Sequence, residues 1–86
     1  MSKNHYVYIV ECADGTYYTG YTTSLERRLN EHNYSASRCA KYTRSRRPVR
    51  LRYYEEYKTV SEALRREHQI KKMSRKKKIE LIEKKM

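Results

Sequence analysis

The sequence predicts an α+β fold, an α/β sandwich with the element order β-β-α-β-α-α in one domain over residues 1–86. Three observations predict it. Two stretches rich in Tyr, Val, Ile and Thr flank Ala13-Asp14-Gly15, a turn signal short enough to make them one hairpin. Two Ser/Thr-x-x-Glu runs each open an apolar pattern of helical period. A third strand-like run follows Pro48 and lies between those helical patterns. A chain of 86 residues buries roughly 60 to 65% of its extended surface, enough for one thin core.

Tyr6 to Cys12 and Thr16 to Thr22 are the two predicted strands of the hairpin. The turn between them decides which side chains meet. A two-residue Asp-Gly loop sets Tyr8 and Tyr18 on opposite faces, whereas a three-residue loop with Gly15 in the left-handed conformation pairs Val10 with Tyr18 and Tyr8 with Gly20. The three-residue register is the preferred one, and it puts Tyr8, Val10, Tyr18 and Gly20 on one face. Thr23-Ser24-Leu25-Glu26 opens a helix from about Ser24 to Asn33, with Leu25 and Leu29 toward the sheet and Arg28 and His32 one turn apart on its flank. Residues 33–48 read as irregular, polar and basic, and Pro48 delays the third strand to Val49–Tyr57. Thr59-Val60-Ser61-Glu62 opens a helix to about Met73 whose apolar stripe is Val60, Ala63, Leu64 and Ile70. Ser74 caps a last helix with Ile79, Ile82 and Met86 as its apolar line.

The chain has ten Tyr and no Phe or Trp, so every large ring carries a hydroxyl. Its formal charge of +11, from 21 Lys and Arg against 10 Asp and Glu, calls for a polyanionic partner, and a phosphate backbone is the natural one. No apolar run is long enough to span a bilayer and no signal-peptide pattern precedes the first strand, which leads to the expectation of a cytoplasmic protein without a membrane partner. Cys12 and Cys39 fit neither a disulfide scaffold nor a zinc site and are expected as reduced, buried thiols without a disulfide partner.

Glu67 lies three or four residues from Ala63, Leu64 and Ile70, in the middle of the predicted buried stripe. A carboxylate there has to be paired, hydrogen-bonded or metal-bound. An arginine salt bridge is one explanation. The other is a hard cation such as Mg²⁺, which needs few protein ligands and keeps its waters for phosphate oxygens. Tyr8 and Tyr18 read either as core rings with surface-reaching hydroxyls or as phenols that orient or deprotonate a water attacking phosphorus. Arg28 offers a fork to a phosphate, and His32 is a candidate proton carrier or phosphate contact. Arg38, Lys41, Arg44, Arg46 and Arg47, with Tyr34 and Tyr42 nearby and no acid between Glu31 and Glu55, read as a groove wall that tracks a nucleic-acid backbone.

Together these residues resemble the GIY-YIG nuclease superfamily, named for two short strand motifs. Val7-Tyr8 looks like the second and third positions of the first motif, and Tyr18-Thr19-Gly20 looks like the second motif. The family's Arg, ten residues after the second motif's Tyr, falls on Arg28, the His or Tyr one turn later falls on His32, and the metal-binding Glu falls on Glu67. The match runs from about Tyr6 to the last helix and is similar to the small stand-alone bacterial branch that is little more than this domain. Tyr6 stands where the family name has Gly, and the Asn that many members carry in a later helix has no counterpart.

The resemblance implies a central three-stranded antiparallel sheet flanked by helices. It also implies a single-site Mg²⁺- or Mn²⁺-dependent endonuclease acting on DNA, with a tyrosine assisting water, Arg28 stabilising charge and Glu67 as the metal ligand. A protein partner supplying specificity is compatible with it. The alternative is a non-catalytic basic nucleic-acid-binding module on the same fold, whose binding falls with salt and ignores Glu67. A membrane-surface or protein-interaction adaptor built on the lysine-rich last helix is a third reading, and the few bulky apolar residues of that helix disfavour it.

Overall fold

The computed structural model describes residues 4–84. Strands β1 (His5–Glu11) and β2 (Tyr17–Thr22) form the antiparallel hairpin in the three-residue-loop register, with Val10 opposite Tyr18 and Tyr8 opposite Gly20. Cys12 N–H donates to the Thr16 carbonyl at 2.8 Å and closes the loop. Gly15 has φ of +85° there, a conformation that a Cβ would strain. Asp14 stiffens the turn by accepting from the backbone N–H and hydroxyl of Thr16.

β3 (Arg50–Tyr57) pairs antiparallel with the other edge of β1, giving a three-stranded sheet of order β2-β1-β3 with a register shift between Ile9 and Val10. Because β1 is central and covered on both faces, Val7, Tyr8, Ile9 and Val10 are all buried, which accounts for the near-continuous apolar run in its sequence. One face packs Tyr8, Val10, Cys12 and Val49 against Tyr18, Leu25, Leu29 and Leu51. The other packs Val7, Ile9, Tyr53, Ala63, Ile70 and Ile82. Helix α1 (Leu25–Tyr34) therefore lies on the first face, while α3 (Val60–Lys71) and α4 (Arg75–Lys84) supply the second.

Local capping sets the helix starts. Ser24 caps α1 by accepting from the Arg27 N–H, Thr59 caps α3 by accepting from the Glu62 N–H, and the Ser74 hydroxyl accepts from the Lys77 N–H at the start of α4. Both cysteines are buried free thiols. Among the described residues no helix is long and apolar enough to cross a membrane.

Three expectations need correction. The stretch 33–48 is not wholly irregular, since Lys41–Arg44 forms the short helix α2. His32 does not sit on a flank of α1: it is the one fully buried residue of that helix. Val60 and Leu64 lie outside the buried stripe, at 46% and 45% exposed. The face of α3 turned to the sheet runs through Ala63, Arg66 and Ile70, and Arg66 forks its guanidinium onto Glu55 of β3 at 2.9 and 3.1 Å while the Tyr53 and Tyr57 hydroxyls donate to the same carboxylate. Helix α4 is described over Arg75–Lys84, and the predicted contribution of Met86 lies outside the described residues.

Candidate functional site

Tyr8 is the centre of the site. It stands on the middle strand, 2% exposed, with its ring across Gly20 of β2. A Cβ at position 20 would collide with the Tyr8 hydroxyl oxygen and Cζ, so glycine here provides room rather than backbone freedom. Gly20→Ala is expected to cost about 1 to 3 kcal/mol by overpacking. The check is a lowered urea midpoint together with a broadened or shifted His32 ring resonance, because the displaced phenol is the hydrogen-bond partner of that ring. An unshifted ring resonance would mean that the Tyr8 ring is not held against residue 20.

The Tyr8 hydroxyl lies 2.8 Å from His32 Nε2, and His32 Nδ1 lies 2.9 Å from Thr43 Oγ1 on α2. Thr43 Oγ1 in turn donates to the Ala40 carbonyl at 3.1 Å. Tyr8, His32 and Thr43 are all buried, so this is a dry chain joining the central strand, α1 and α2. Burial and the nearby Arg28 and Arg47 cations, against the opposing pull of Glu31, push the His32 pKa down to about 4, so the imidazole is neutral near pH 7. Burial likewise pushes the Tyr8 phenol up to about 12, although Arg28 works in the opposite direction.

Arg28 donates to Glu31 at 3.0 Å and to the Arg38 carbonyl at 2.5 Å, and its positive charge works to lower the Tyr8 pKa against the effect of burial. Helical spacing brings this about: Leu25 and Leu29 fasten α1 to the sheet, which aims residues 28 and 32 at the phenol. Tyr18 packs edge-on against His32 with ring centroids 5.5 Å apart and stacks on Tyr42 at 5.8 Å. Glu67 comes from α3 and acts electrostatically on the Tyr8 hydroxyl, as do Tyr18 and Arg28. Its side chain is 19% exposed, between the buried Ala63 and Ile70, with Lys71 Nζ at 3.5 Å. Of the five residues singled out in the sequence, Tyr8 and Tyr18 both contact His32, Arg28 lies one turn from His32 on α1, and Glu67 on α3 is linked to the Tyr8 phenol by charge. Thr43 is the member that sequence reasoning missed.

The basic segment divides in two. Arg38, Lys41 and Arg44 are exposed. Arg46 is held over the Tyr42 ring at 4.1 Å and pairs with Asp14 at 3.1 Å, while Arg47 donates to the Ser35 carbonyl at 2.5 Å and to Cys39 Sγ at 2.8 Å. The last two side chains therefore bind the loop to the hairpin and to the end of α1, and the first three face outward.

A divalent cation was expected on Glu67. Among the described residues no group of three or more His, Cys, Asp or Glu side chains gathers into a cage. One half-buried carboxylate beside phenols and a guanidinium is a hard, oxygen-only donor set of low denticity. That fits Mg²⁺ or Mn²⁺, which retains water, and does not fit zinc.

Comparison with known proteins finds the same domain in other chains. The GIY-YIG catalytic domain matches residues 4–80. A UPF0213 protein of Halobacterium salinarum is 59% identical over 71 residues, covering 83% of this chain and 90% of that protein. One from Staphylococcus haemolyticus is 54% identical over 83 residues, covering 96% and 98%. The solution NMR structure of the UPF0213 protein BH0048 from Bacillus halodurans superposes with a TM-score of 0.59 at 48% identity, over 93% of this chain and 83% of that one.

Proposed function

The chain belongs to the GIY-YIG catalytic-domain family, and from that premise we propose that it is a divalent-metal-dependent endonuclease that hydrolyses phosphodiester bonds in DNA. The observation that carries this reading is a buried Tyr8 hydrogen-bonded to a neutral His32, with the Tyr18 ring packed on that imidazole and the charges of Arg28 and Glu67 acting on the phenol.

In this reading a scissile phosphate meets the Arg28 guanidinium, whose donors suit two phosphate oxygens. Glu67 is the ligand for the metal ion, which when bound supplies charge neutralisation at phosphorus and a more acidic water. Tyr8 takes a proton from the attacking water as its own proton moves to His32 Nε2, 2.8 Å away. With the phenol at about 12 and the imidazole at about 4, the proton stays on Tyr8 in the resting protein, so its movement has to accompany water attack. Arg38, Lys41 and Arg44 lie outward to follow the backbone on either side of the cleaved bond.

The test is incubation of plasmid, single-stranded and branched DNA with Mg²⁺ or Mn²⁺. Strand scission that chelation stops and Glu67→Ala removes is the expected result. Undiminished cleavage by Glu67→Ala would sink the assignment. DNA binding that falls steeply with salt, without scission and without dependence on Glu67, would favour the non-catalytic module instead.

A further inference from the structure

We propose that Thr43, on the four-residue helix α2, is a positioning residue that holds His32 in the Nδ1–H tautomer and so leaves Nε2 bare to accept the Tyr8 hydroxyl proton. The argument is one of hydrogen-bond direction. A neutral imidazole has one donor and one acceptor nitrogen, and hydroxyls of Tyr and Thr have one proton each. The chain Tyr8, His32, Thr43, Ala40 carbonyl is therefore satisfied throughout only if all its protons point the same way, from the phenol toward the carbonyl.

Both ends fit that way. The Tyr8 hydroxyl is buried and finds its hydrogen-bond partner in His32 Nε2, so its proton turns there. The Ala40 carbonyl, which also accepts from the Thr43 and Arg44 N–H groups, takes the Thr43 proton and leaves Oγ1 to receive from Nδ1–H. The opposite tautomer puts an Nε2–H on the Tyr8 oxygen and turns the phenolic proton away from its buried acceptor. His32 and Thr43 are fully buried, so solvent does not rescue a misdirected proton.

The catalytic meaning of this tautomer rests on the hydrolase reading above, while the tautomer itself belongs to the resting protein. The consequence is a division of labour: α2, a single turn inside a basic loop, sets the chemistry of a histidine on α1 that serves a tyrosine on β1. Such an orienting partner is a recurring way to make an imidazole a competent base.

A long-range ¹H–¹⁵N spectrum of the His32 ring reads the tautomer directly, without substrate or metal. In the wild-type chain Nδ1 is expected protonated and Nε2 pyridine-like. Thr43→Ser, which keeps the hydroxyl, is expected to preserve that pattern, and Thr43→Val to move the proton toward Nε2. On DNA with Mg²⁺, Thr43→Val is expected to lower kcat roughly 100-fold with KM little changed, and Thr43→Ser to stay within about threefold of wild type. An Nε2–H tautomer in the wild type overturns the proposal, and so does an Nδ1–H tautomer that persists in Thr43→Val. If Thr43→Val fails to fold, the wild-type and Thr43→Ser spectra decide. A tautomer that follows Thr43 in a protein that cleaves nothing upholds the positioning role and removes the hydrolase reading.

Discussion

Replacing Tyr8 by Phe is expected to lower the single-turnover cleavage rate by roughly 100- to 10,000-fold, the range of a lost general acid–base group, with DNA affinity nearly unchanged. The ring would keep its seat across Gly20, since Phe has the same outline apart from the hydroxyl. Only the oxygen is lost, and with it the hydrogen bond to His32 Nε2. The same substitution also reports on the buried chain, because it leaves His32 Nε2 without its donor. An orphaned buried acceptor costs about 1 to 3 kcal/mol. Single-turnover cleavage and a urea midpoint, measured on the same preparation, separate the two effects. A variant that cleaves within about threefold of wild type would reduce Tyr8 to a packing residue, and the proton route through His32 would fall with it.

How far the site was legible depended on the range over which each residue's environment is decided. The hairpin register followed from loop length and from a glycine at the one position needing positive φ, both local properties of residues 13–15. The joint orientation of Arg28 and His32 followed from helical spacing. The burial of His32 did not, because it depends on two partners, Tyr8 and Thr43, that are 24 and 11 residues away and satisfy both ring nitrogens at once. An isolated histidine in a polar helix carries no trace of that arrangement. Helix α2 was invisible for a different reason: four residues are too few to show a period, and its one buried member, Thr43, looks like loop polarity.

The exposure of Val60 and Leu64 has a comparable origin. Periodicity alone favours a stripe through Val60, Ala63 and Leu64, but the face that meets the sheet carries Arg66 forked onto Glu55 beside Ala63 and Ile70, and Val60 and Leu64 lie outside it. The Glu55 carboxylate is disfavoured by burial, yet Arg66 and the Tyr53 and Tyr57 hydroxyls outweigh that and hold its pKa below the ordinary value. A polar pairing across 11 residues thus shares the sheet-facing side of α3 with Ala63 and Ile70, a partner that helical periodicity alone does not reveal.

Acid is expected to unfold the protein through the same histidine that serves the site. His32 in the folded chain is held neutral down to about pH 4, against an ordinary value of 6.5. Between those two pH values the unfolded chain binds a proton that the folded chain does not, so stability falls as pH falls. The contribution is complete above 6.5 and is lost on descending toward 4, a window worth about 3 kcal/mol. Glu55, whose pKa is lowered, adds a loss of the same sign at the acid end of the range. Urea midpoints measured from pH 7 to pH 4 should therefore decline steadily, and His32→Gln, which has no proton to gain, should be nearly flat from pH 7 down to about 5. The same slope in both proteins would assign the acid sensitivity elsewhere. A loss confined to the wild type would tie the stability of the fold to the neutral imidazole that accepts from Tyr8, so that the conditions preserving the fold are those keeping Nε2 free for the phenolic proton.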